Sequence, residues 1–215
     1  MPVKKVNNVM KNFQGFSLIE MAIVLIIIGF FLGGLLTPLS AQRDRQQIKR
    51  TLKTLEEVKE ALLGFAVIHK RLPCSDRNGN GKESKNITDC ESNGEGYLPW
   101  KDLGVGRYDG WGKPFRYRTE ADFNEIPNIS KSILMSGLRV KNRQDNNFTI
   151  VSSDSRVAAI IFSQGKNGVP DDDNANLLMK TFVYDGYVEN EFDDILTWLP
   201  RNTLMSRLIT AKRWP

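Results

Sequence analysis

The sequence predicts an α+β protein in which a long amino-terminal helix, transmembrane and then amphipathic, packs on a small antiparallel β-sheet. Three observations predict it. Phe16–Leu36 form an apolar run with a single charge, Glu20. Further on, Ile48, Leu52, Leu55, Leu62 and Ala66 recur at spacings of three, four or seven, as on one face of an amphipathic helix. After Leu72-Pro73 the chain changes to short strand-like stretches divided by Gly, Asn, Asp and Pro.

The first element is a basic leader, residues 1–15, with Lys4, Lys5 and Lys11 and no acid. Basic residues ahead of an apolar segment stay on the cytoplasmic side, which sends the rest of the chain across the membrane. Residues 16–37 follow as a transmembrane helix, because about 20 apolar residues span a bilayer. A carboxylate at the centre of such a segment costs roughly 2.5–3.5 kcal/mol. Glu20 therefore either lies near an end and reaches water or has a partner. Residues 38–71 form the amphipathic half of the helix, entered through Pro38, which favours a kink. Lys49, Lys53, Glu56, Lys59 and Glu60 fill its other faces.

Residues 72–215 form the globular domain. Cys74 and Cys90 bracket a loop too polar to be a core, which favours a disulfide in an oxidising compartment over two buried thiols. Closing that loop is worth about 3 kcal/mol in the chain-entropy picture. Inside it, Asp76, Asn78, Asn80 and Gly81 match the first half of an EF-hand loop. The match then lapses, with Ile87 at the place of the bidentate Glu. Strands are expected within residues 113–118, 132–140 and 148–152. Val157–Ser163 reads as a buried central strand and Thr181–Val188 as a hairpin edge. Trp111, Phe115 and Tyr117 read as core. A final helix begins near Pro200, with Leu204 and Leu208 turned to the sheet and Arg207, Lys212 and Arg213 outward.

Composition narrows the function. The net charge of +5 comes with no dense basic tract interleaved with aromatics, so no nucleic-acid partner is expected, with a DNA-uptake filament left open as an alternative. The single histidine, His69, sits near a helix end, and no phosphate-binding or dinucleotide-binding glycine string is present. The expectation is a protein that is not an enzyme and requires no cofactor.

The string "KNFQGFSLIEMAIVLIIIGFFLGGLL" resembles the leader and methylation segment of type IV pilins and of type II secretion pseudopilins. The resemblance implies a pilin-like fold, cleavage after Gly15 by a prepilin peptidase and methylation of the new terminus, Phe16. It also gives Glu20 a partner, the Phe16 amine of a neighbouring subunit. It implies an inner-membrane protein with a periplasmic domain that joins a pilus or pseudopilus, with other pilins or pseudopilins and an inner-membrane assembly platform as partners. A second, shorter resemblance lies further on. "DGWGKPFRY", "SQGKNG" and "FDDILTW" are similar to segments of major pseudopilins, in which the carboxyl-terminal loop binds calcium. It points to Asn167, Asp193 and Asp194 as ligands, with Asp171, Asp172 and Asp173 in a long insertion. Asn167 stands where the family has an acid. Asp76, Asn78 and Asn80 are the alternative metal loop. The tail extends beyond the major-pseudopilin pattern, which implies a minor or specialised subunit. The competing reading is a non-assembling periplasmic module that binds a ligand or calcium, anchored or released by cleavage after Ala41.

Overall fold

The computed structural model describes residues 15–84, 95–120, 123–124, 137–143, 157–176, 180–188 and 191–213, without the side chains of residues 32–39. The leader residues 1–14, Cys90, Ile87 and the expected strand at residues 148–152 lie outside the described residues. The chain divides into two compact units, Met1–Asp44 and Arg45–Pro215. Helix α1, Leu18–His69, belongs to both and is assigned continuously, Pro38 included.

In the first unit, the side chains from Phe16 to Phe31 are exposed, with Phe16 at 82 % and Leu18 at 92 %. Among the described residues no helix is long and apolar enough to cross a membrane. The described side chains of the apolar run stop at Phe31, short of the roughly 20 residues a span needs. The expected transmembrane helix is thus not displayed by these residues. What they do display is a continuous apolar surface, of the kind that marks an interaction with lipid or protein.

In the second unit, the described residues form a four-stranded antiparallel sheet. It is built from β1 (Glu95–Tyr97), β2 (Arg116–Thr119), β4 (Val157–Ser163) and β6 (Ile195–Pro200), in the order β1-β2-β4-β6. Strand β4 is buried at every position, which explains its unbroken apolar sequence. Ala158, Ala159 and Ile161 join Phe115, Tyr117 and Leu199 in the core that takes in Leu55, Val58, Leu62 and Ala66 of α1. Ile160 and Phe162 pack on the opposite side with Val140, Phe182 and Leu196. The antiparallel sheet on the carboxyl half of the long helix is therefore as the sequence predicts.

Two details differ. Leu52, expected in the stripe, is about half exposed, while Thr51 beside it is fully buried. The turn at Gly110 seats there: its N–H donates to Thr51 Oγ1 at 2.9 Å, and a Cβ on Gly110 would lie 2.3 Å from the Gln47 carbonyl. The hydroxyl thus takes the buried place and turns Leu52 outward. Second, β5 (Thr181–Tyr184) is not half of a hairpin. It pairs in parallel with β3 (Arg139–Asn142).

A short helix α2, Trp100–Leu103, ends at Gly104 in the left-handed conformation. Helix α3, Arg201–Thr210, starts after Pro200 and buries Leu204 and Leu208, as expected. His69 stacks on Phe65 with ring centroids 3.9 Å apart and its Nδ1 lies 3.1 Å from the Phe65 carbonyl, a packing role.

Candidate functional site

Two regions carry chemistry, one in each unit. In the first, helix α1 opens on Ser17-Leu18-Ile19-Glu20. Glu20 Oε2 accepts the backbone N–H of Ser17 at 3.1 Å, and Ser17 Oγ lies 3.4 Å from the N–H of Ile19. The carboxylate thus reaches back over the first turn, the longer half of a capping box. An acid here also suits the positive end of the helix dipole. Gly15 and Phe16 precede this turn in non-helical, exposed backbone.

In the second unit, one ligating oxygen each from Asp171, Asp193 and Asp194 lie within 4.8 Å of one another. Asp193 Oδ2 accepts the N–H of Asn167 at 2.8 Å. Asp194 Oδ2 accepts the N–H of Asp171 at 2.8 Å and the side-chain amide of Asn174 at 2.9 Å. Asp171 Oδ2 accepts the N–H of Asp193 at 2.8 Å. Each carboxylate is therefore oriented by the loop backbone. The second oxygens of Asp193 and Asp194 are buried and have no hydrogen-bond partner among the described residues. Beside them opens a cavity of about 420 Å³, lined in part by Lys166, Asn167, Asp171, Phe192 and Asp193.

Burial, opposed by the N–H of Asp171, pushes the Asp194 carboxyl up to about 7, and the neighbouring acids push in the same direction. Asp193 is raised as well, by burial first and by Asp171. Buried carboxylate oxygens cost free energy unless a donor or cation meets them. An all-oxygen set of three carboxylates, two with buried unpartnered oxygens, fits a hard divalent cation such as calcium.

The geometry sorts the acids that the sequence grouped together. Asp172 pairs with Arg143 at 3.0 Å and Asp173 with Lys141, so both are held outside the cluster. Asn167 contributes its backbone N–H, and its Oδ1 accepts from Val169 N at 2.6 Å. The third carboxylate comes from Asp171, supplied by the insertion. The Asp76 loop closes by other means: Asp76, fully buried, accepts the N–H groups of Asn78, Asn80 and Gly81. Asn80 Oδ1 accepts from Lys82 N. Those oxygens therefore meet backbone donors of their own loop. Cys74 is disulfide-bonded.

Sequence reasoning missed the supports of the cluster. Asp109, buried, accepts from Trp111 N and Lys113 N through Oδ1 and from the Ser163 hydroxyl through Oδ2. Gly165, at φ +59°, presses on Asp193, where a Cβ would come within 2.6 Å of Oδ1. The signal was the pair of turn motifs themselves, whose glycines mark close backbone approaches.

No curated protein matches the chain, and no solved structure matches it. A family model described as the prokaryotic N-terminal methylation motif matches residues 10–36, across Gly15, Phe16, Glu20 and the start of α1. The chain carries the N-terminal methylation motif typical of type IV pilins and pseudopilins.

Proposed function

We propose that this chain is a pilin-like structural subunit, cut after Gly15 and N-methylated on Phe16 by a prepilin peptidase. The observation that carries the proposal is the methylation motif running directly into the exposed apolar face of α1. The segment 16–37 first anchors the chain in the inner membrane, with the globular domain in the periplasm. It then packs against the same segment of other pilin or pseudopilin subunits as the assembly platform builds the filament. Glu20, freed from its cap, neutralises the Phe16 amine of the neighbour, since a buried charge is tolerated when it is paired. Cys74 and Cys90 form the disulfide that closes the 74–90 loop. The carboxyl-terminal tail and the insertion after Gly168 favour a minor rather than a shaft subunit.

Calcium has a structural place in this reading. Asp171, Asp193 and Asp194 would hold it, and its charge would neutralise the buried acids and tie the 165–175 loop to β6. The residues of the chain already do the orienting, through the N–H groups of Asn167, Asp171 and Asp193.

Mechanical shearing of the native host tests assembly. The chain is expected in the sheared or cross-linked filament fraction together with other pilins, and only when the prepilin peptidase is active. Its presence solely as a free periplasmic domain would support the non-assembling module instead.

A further inference from the structure

We infer that Ser163 and Asp109 are positioning residues for the Asp171–Asp193–Asp194 cluster, a proposal that rests on the cation reading above. Ser163 ends β4, is fully buried, and uses its hydroxyl twice. It donates to Asp109 Oδ2 and accepts the N–H of Gly165 at 3.1 Å. The first bond ties the 109–113 turn to the end of the central strand. The second fixes where the 164–168 turn leaves it.

That turn then meets Asp193 through several of its groups, the Lys166 backbone among them. Gly165 presses on its carboxyl group, and the N–H of Asn167 holds its Oδ2. Together they set the torsion that leaves Oδ1 buried and without a partner among the described residues. Asp109 is itself locked by two backbone N–H groups at 2.9 and 2.8 Å, so its Oδ2 is a fixed acceptor. The order of control runs from Asp109 to Ser163, to Gly165 and Asn167, to Asp193. Groups of this kind set a ligand's orientation without touching the ion. The opposite side of the 109–113 turn, where Gly110 N meets Thr51, lies outside this path.

Calcium titration of the full chain in detergent, by calorimetry, tests the inference, with the metal-free unfolding midpoint recorded alongside. Ser163→Ala is expected to weaken the calcium dissociation constant about 10–100-fold, the usual effect of losing an outer partner. Ser163→Thr, which keeps the hydroxyl, is expected to recover most of it. Thr51→Val loosens the same turn from its helix side and is expected to lower the midpoint while leaving the calcium constant unchanged. Asp109→Asn keeps the Oδ1 acceptor and serves where Ser163→Ala fails to fold; it too is expected to weaken calcium. Equal weakening by Thr51→Val would overturn the inference, as would a wild-type constant in Ser163→Ala or in Asp109→Asn. In those cases calcium binding by the wild-type chain would leave the cation site itself standing. Absence of calcium binding by the wild-type chain would overturn both.

Discussion

Glu20→Gln should leave the chain processed and folded yet nearly absent from filaments. The structure makes this variant more informative than Glu20→Ala. Glu20 Oε2 accepts the Ser17 N–H, a contact that a glutamine carbonyl can also make. Alanine removes that contact at the helix start as well as the charge. Glutamine removes the charge alone. If charge pairing with the Phe16 amine drives incorporation, both variants fail alike. If capping is the whole role of Glu20, the glutamine variant assembles normally and only the alanine variant suffers. Immunoblots of sheared filaments against total protein separate these results.

The second large effect belongs to Asp194. In calcium, the wild-type domain should unfold roughly 5–10 °C higher than in chelator, from about 2.7 kcal/mol at a ligand excess of 100 Kd and 2–4 °C per kcal/mol at this size. Asp194→Asn should erase most of that difference. The pH dependence follows from the raised carboxyl. The folded-state pKa of Asp194, about 7, lies above its unfolded value near 4. The folded state therefore binds more protons in that interval, and cation-free stability falls as pH rises from about 4 to about 7. Calcium affinity should climb over the same range, because the ion requires the deprotonated group. Thermal scans from pH 4 to 8 with and without calcium check both slopes. A cation-free domain whose stability rises across that range would contradict the account.

Much of the fold was legible because local and tertiary demands agree. Strand β4 reads as a buried strand and is buried on both faces. Pro200 opens α3, and Leu204 and Leu208 face the core. Elsewhere the deciding contact came from far along the chain. The α1 stripe misplaces Leu52 because Gly110 claims the surface at Thr51. The parallel pairing of β3 with β5 leaves no trace in composition, since register between distant strands is set by packing.

The candidate sites divide in the same manner. Gly15, Phe16 and Glu20 lie in one local string, and that string is matched as a motif. The capping box was also present there, as Ser17-x-x-Glu20, but the charge drew the functional reading first. The acidic insertion showed its composition and not its division of labour. Only Arg143 and Lys141, distant in sequence, draw Asp172 and Asp173 aside and leave Asp171 to the cluster.

Mass spectrometry of the amino-terminal peptide, on protein taken from its native host, tests the central claim most directly. The account predicts a mature chain that starts at Phe16 and carries an N-methyl group. A mature start at Gln42 would place Glu20 in a discarded signal and contradict it.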